Sequence, residues 1–134
     1  MKNRRSNEEH QIQAEFISLI RYYEYDYPFL ELLYAVPNGA KRTRFEAQQL
    51  KAEGLRSGVC DCAFPYPNGV YGSLYLEFKK SKGGVVSKAQ KDYIALLRKA
   101  NNRAEVVRSA EEALKIVAEH TGYDLPYFDI KKGY

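Results

Sequence analysis

The period at which apolar residues recur changes several times along the chain, and each change marks an element. Ser6, with Glu9 three residues on, fits a helix N-cap, and Ile12, Phe16, Ile17, Leu19, Ile20 and Tyr23 follow at helical spacing. Pro28 interrupts the aromatic run Tyr22 to Phe29, and Leu32 to Val36 reads as a short buried strand ending at the turn signal Pro37-Asn38-Gly39. Thr43, with Glu46 at the capping-box position, opens a second helix that Gly54 closes. Period two then takes over. Val59, Asp61 and Ala63 share one face of a strand. Beyond the turn-rich loop starting Pro65-Tyr66-Pro67-Asn68-Gly69, a second strand puts Leu74, Leu76 and Phe78 on an apolar face and Tyr75, Glu77 and Lys79 on the other. Ser87 with Gln90 caps a third helix, whose buried stripe is Tyr93, Ile94, Leu97 and Ala100. Asn101-Asn102 turns the chain into a strand over Ala104 to Val107, and Ser109 with Glu112 starts a last helix that stops at Gly122.

The predicted order is helix, strand, helix, strand, strand, helix, strand, helix, an α/β fold with a mixed β-sheet flanked by helices. One domain spans residues 1–122. The tail, 123–134, carries four aromatics without a clear period and is expected to pack on the body or on a second subunit.

Composition adds little that the pattern lacks. A chain of 134 residues that is 45% hydrophobic, with 12 Tyr and 6 Phe, has enough apolar surface for a core. No apolar run approaches a membrane span, and the leader MKNRRSNEEHQ lacks a signal-like hydrophobic segment, so a soluble intracellular protein is expected. The net charge of +4 and pI near 9.0 suit a polyanionic partner. Cys60 and Cys62 are two apart on the first of the paired strands and are expected on one side, opposite Asp61, as buried free thiols. Neither His10 nor His120 completes a zinc spacing with them.

Candidate chemistry centres on Asp61, a carboxylate among small or apolar neighbours that needs a partner. If the two strands are adjacent, Asp61, Glu77 and Lys79 meet, offering two oxygen ligands to a hard divalent cation with an ammonium beside it. The backbone carbonyl of Phe78 and the side chain of Glu9 are the candidates to complete the set. Glu9 points within about 20° of the apolar face of its helix, although it also stands where it would close a capping box. Lys79 would orient the attacking water or balance phosphate charge. The other reading of Glu77 and Lys79 is an ordinary surface pair. Lys41, Arg42 and Arg44 ahead of the second helix, and Lys80 and Lys82 in the basic, flexible segment Lys80-Ser81-Lys82-Gly83-Gly84, suit contact with a phosphate backbone; solvated surface is the alternative.

Together these residues bear a resemblance. Asp61 followed by Glu77-Phe78-Lys79 resembles the PD-(D/E)XK nuclease motif, and the chain from Glu9 to about Val117 resembles the small stand-alone phage form of the VRR-NUC (virus-type replication-repair nuclease) family. The matching pieces are Glu9-His10-Gln11-Ile12-Gln13, Val36-Pro37-Asn38-Gly39, Glu53-Gly54-Leu55, Ser57-Gly58-Val59-Cys60-Asp61, Leu76-Glu77-Phe78-Lys79 and the Gly-Gly-Val-Val-Ser run leading to Gln90. Gln90-Lys91-Asp92-Tyr93 resembles the Q-x-x-Y element of related nucleases, or else is a capping glutamine with a core tyrosine. Cys60 stands where the family usually has proline. The resemblance implies a restriction-endonuclease-like core, metal ligation by Asp61 and Glu77, a catalytic role for Lys79, and supporting roles for Glu9 and Gln90. It also implies Mg²⁺ or Mn²⁺ as cofactor and a DNA endonuclease acting on branched DNA, a Holliday-junction resolvase working as a homodimer. Flap, nicked or duplex DNA are the competing substrates, and a DNA-binding module with a degenerate site is the competing non-enzyme.

Overall fold

A computed structural model describes residues 5–37 and 42–133. Its helices are α1 (Asn7–Glu24), α2 (Arg44–Ala52), α3 (Lys88–Lys99) and α4 (Ala110–Thr121); its strands are β1 (Tyr34–Ala35), β2 (Cys62–Phe64), β3 (Leu74–Phe78) and β4 (Arg103–Val107). The strands form one sheet in the order β1-β2-β3-β4, the first two pairings antiparallel and the last parallel. Helix α3 therefore serves as the crossover between the parallel strands β3 and β4. No helix among the described residues is long and apolar enough to cross a membrane.

Period-two alternation sends the two faces of β3 to different layers. Leu74, Leu76 and Phe78 join Cys62, Phe64 and Val107 in a core closed by Phe16, Leu19 and Ile20 of α1 and by Leu114 and Val117 of α4. The Phe16 and Phe78 rings lie 5.5 Å apart, centre to centre. The other face carries a smaller cluster of Cys60, Ile94 and Ala104 beneath α3, with Tyr75, Leu97 and Val106 against it.

Two expectations change. The strand anticipated over Leu32–Val36 shrinks to Tyr34–Ala35, because Pro28 opens a 3₁₀ turn that runs to Leu32; the fixed φ of proline suits the start of such a turn. Cys60 and Cys62 do not share a side. β2 begins only at Cys62, so the alternation does not extend back to Cys60, which packs under α3 while Cys62 faces the main core. Both cysteines are buried; burial, reinforced by the Asp61 charge, pushes the Cys62 thiol up to about 12. Helix α2, capped by Thr43 and Glu46 as expected, buries none of its residues. Asn38, Gly39 and Lys41 of the preceding segment lie outside the described residues.

The tail runs along the body. Leu125 enters the main core, the Tyr23 hydroxyl donates to the Pro126 carbonyl, Tyr123 stacks on Tyr27 at 4.4 Å, and the Tyr127 hydroxyl donates to Glu15 Oε2 at 2.6 Å.

Two contacts tie the loops to this frame. A β-carbon at Gly58 would sit 2.5 Å from the Ala89 backbone oxygen, and Gly58 has a φ of +82°, so only glycine lets the approach to β2 lie against the first turn of α3. Gly58→Ala should cost about 2 kcal/mol or more in a denaturant titration, since both the clash and the backbone strain oppose it. At the far end of α4, His120 Nε2 lies 2.6 Å from the Tyr66 carbonyl, and Asn68 Nδ2 lies 3.3 Å from Nδ1 and donates to the His120 carbonyl at 3.1 Å. A neutral imidazole donating from Nε2 and accepting at Nδ1 satisfies all three groups. Burial lowers the His120 pKa, helped by Arg103 and opposed by the Tyr66 hydrogen bond. The unfolded chain therefore takes up this proton first as pH falls, and the stability that neutral His120 contributes is lost below about pH 6.5. Unfolding free energies measured from about pH 7.5 down to about pH 5.5 should fall, and His120→Gln should flatten part of that slope.

Candidate active site

Four elements converge at one end of the sheet: the first turn of α1, the approach to β2, the end of β3 and the first turn of α3. Continuing the β2–β3 register by one residue sets Asp61 opposite Glu77, so their side chains share the α3 face. Each is 1% exposed. Asp61 Oδ2 accepts the Phe78 backbone N–H at 2.8 Å, which fixes the carboxylate beside the residue following Glu77. Lys79 extends the β3–β4 pairing by donating its N–H to the Val107 carbonyl at 2.9 Å; its side chain stays on the face of Glu77, and Nζ lies 3.5 Å from Glu77 Oε2.

Gln90 caps its helix and also reaches the neighbouring strand, while Tyr93 is half-buried and outside the two core clusters. Gln90 Oε1 accepts the Ser87 N–H at 2.9 Å and its N–H reaches Ser87 Oγ at 3.2 Å, closing a capping box, while Nε2 donates to Glu77 Oε2 at 2.8 Å. Ser87 thus starts α3 where its third helical residue can hold an acid on the neighbouring strand. Glu9 is also buried. Its N–H donates to Ser6 Oγ at 3.2 Å, but its carboxylate turns to the sheet and accepts the Lys80 N–H at 3.2 Å through Oε2.

A residue not anticipated as part of the site, Arg5, joins these acids. Its Nε lies 3.8 Å from Glu9 Oε1 and its Nη1 lies 3.8 Å from Asp61 Oδ1. Hydrogen bonds from Nη1 to Gln13 Oε1 (2.6 Å) and from Nη2 to the Glu9 carbonyl (3.0 Å) lash it to α1. The i,i+4 spacing of Arg5 and Glu9 was the available signal. Among the described residues, the cations set against these three buried carboxylates are the buried Lys79 and the largely covered Arg5.

Beside this cluster opens a cleft of about 400 Å³, lined by Arg5, Glu9, Lys79, Lys80 and Gln90 among others. Asp61 and Glu77 lie behind that lining rather than in it. The Lys80–Gly84 loop forms a wall, pinned by Arg108, whose guanidinium donates to the Lys80 carbonyl at 3.0 Å and the Gly84 carbonyl at 2.9 Å, and by Ser81 donating to Glu8. Of the basic residues considered for nucleic acid, Lys80 reaches the cleft. Arg42, Arg44 and Lys82 are not part of its lining, and Lys41 is outside the described residues.

Among the described residues no group of three or more His, Cys, Asp and Glu side chains is gathered as a metal cage. The donors are nonetheless of one kind. Asp61 and Glu77 present hard carboxylate oxygens on one face of adjacent chain segments, and it is these anionic oxygens that would attract a cation, while Arg5 and Lys79 already offset part of their charge. A hydrated magnesium-type ion that keeps several waters needs no more than one or two such carboxylates. Asp61 and Glu77 fit that requirement, with Glu9 and the Phe78 carbonyl nearby in the chain fold.

A mixed four-stranded sheet flanked by four helices is consistent with a restriction-endonuclease-like architecture. A solved structure described as a VRR_NUC domain protein shares it with a TM-score of 0.71 and 21% identity, the match covering 93% of this chain and 95% of that one. No family model matches the sequence, and no curated protein matches it. The likeness is therefore one of fold, and it agrees with the core expected from the sequence.

Because Gln90 serves the helix cap and the Glu77 carboxylate at once, Gln90→Leu removes hydrogen bonds from both. A loss of about 2 kcal/mol is expected in chemical denaturation, more than a cap alone contributes.

Proposed function

We infer that the chain is a nuclease that hydrolyses phosphodiester bonds in DNA with the help of Mg²⁺ or Mn²⁺. The observation that carries this reading is the buried pair Asp61 and Glu77, set opposite each other when the β2–β3 register is continued by one residue, with Lys79 Nζ 3.5 Å from Glu77 at the edge of a cleft with basic walls. A divalent cation held by Asp61 and Glu77, with Glu9 and the Phe78 carbonyl in support, would supply Lewis acidity and a water that is nucleophilic at neutral pH. The remaining work falls to the chain. Lys79 is the ammonium placed to orient the attacking water and to balance charge that builds on the phosphate oxygens. Gln90 holds the Glu77 carboxylate in one rotamer, and the Phe78 N–H does the same for Asp61, so neither acid must reorganise during the reaction. Lys80 supplies positive charge to the backbone of a strand lying in the cleft.

The finer reading is a structure-specific endonuclease for branched DNA, cutting four-way junctions as a homodimer. It rests on the resemblance set out from the sequence and on the logic that a two-fold dimer presents two sites to two strands. The test compares a labelled four-way junction with a matched duplex in Mg²⁺. The wild-type protein should cut the junction faster, chelation of the metal should stop it, and Asp61→Asn and Lys79→Ala should each slow cleavage by about 100-fold or more. Variants as fast as wild type would remove the proposed site; equal rates on junction and duplex would remove only the preference for branched DNA.

A further inference from the structure

Arg5 is in an unusual position for a surface-derived arginine. Its side chain is only 9% exposed, it lines the cleft, and it stands within ion-pair reach of Asp61 and Glu9 together. Asp61 is not part of that lining, so the guanidinium sits on the cleft side of the carboxylate. The seat is incomplete: Nη1 and Nη2 are anchored to Gln13 and to the Glu9 carbonyl, whereas Nε is buried without a hydrogen-bond partner and faces Glu9 Oε1 across 3.8 Å. Charge rather than a closed hydrogen bond holds this end of the group, and the unsatisfied Nε–H leaves an uncompensated desolvation cost that favours withdrawal of the guanidinium.

We propose that Arg5 is an internal counter-ion that competes with the divalent cation for Asp61, so that loading the site requires the guanidinium to withdraw. The proposal rests on the metal reading above. Buried carboxylates without a neutralising charge are strongly unfavourable, so a metal-dependent site needs something to hold it together before the ion arrives. Arg5 performs that role from the α1 side, as Lys79 does from β3. The same positive charge repels a dication arriving a few ångströms away, and its removal strengthens cation binding while weakening the metal-free fold.

The experiment is calorimetric titration of the metal-free protein with Mn²⁺, for wild type, Arg5→Gln, Arg5→Lys and Asp61→Asn, with thermal unfolding in the absence of metal alongside. Arg5→Gln should bind Mn²⁺ about tenfold more tightly and melt at a lower temperature than wild type without metal. Arg5→Lys keeps the charge and should stay within about twofold of wild type. Unchanged or weaker binding by Arg5→Gln, while Asp61→Asn abolishes binding, overturns the proposal and leaves the metal reading standing. Binding by neither wild type nor Arg5→Gln overturns both. A second measurement needs no variant: in ¹⁵N-labelled wild type, Mg²⁺ should shift the Arg5 Nε–H resonance, and a resonance unmoved at saturating Mg²⁺ also overturns the proposal.

Discussion

The constraint on which this molecule depends is electrostatic. Three carboxylates are taken out of water at one end of a small sheet, and each has to find positive charge or polarised N–H groups there. Removing one partner from a buried ionic group costs several kcal/mol, a large share of the stability of a single domain. Asp61 therefore leans on the Phe78 N–H and Arg5, Glu77 on Gln90 and Lys79, and Glu9 on the Lys80 N–H and Arg5. No hydrophobic gain explains such a grouping, since apolar residues at the same positions would pack without any of this compensation.

The fold meets that constraint by bringing helix starts to the site. α1 and α3 both begin beside the ends of β2 and β3, and each contributes a residue from its first turn, Glu9 and Gln90. A first-turn residue is held by its cap as well as by its own contacts, so the site groups inherit order from helix initiation. Gly58 allows the chain to approach α3 closely enough for this, and Arg108 keeps the Lys80–Gly84 loop beside the cleft instead of in solvent. The apolar face of β3 does the rest: Leu74, Leu76 and Phe78 lock the strand between α1 and α4, and the alternation of side chains obliges Glu77 to face α3.

The architecture was legible where periodicity was strong. All four helices start at the caps read from Ser6, Thr43, Ser87 and Ser109, and β3 and β4 lie where the pattern placed them, whereas β2 begins at Cys62 rather than at Val59. Legibility failed where the period broke. The 3₁₀ turn at Pro28 took residues from the first strand, and Cys60 left the expected side because the ladder does not reach it. Arg5 drew no reading from the sequence, since it stands outside the apolar periods that signal burial.

By itself the sequence determined which residues could be acids, amines and caps, and the face on which each would lie within its own element, because 3.6- and 2.0-residue periods are local properties of the backbone. It also determined that β3 would carry a charged face and an oily one. Only the tertiary structure decided that Asp61 lies opposite Glu77, that Gln90 spans from a helix cap to an acid on the next strand, and that Arg5 closes the cluster. Those are distances between segments up to tens of residues apart, set by strand register and helix docking, and burial of charge is a property of the assembled surface that no single segment possesses.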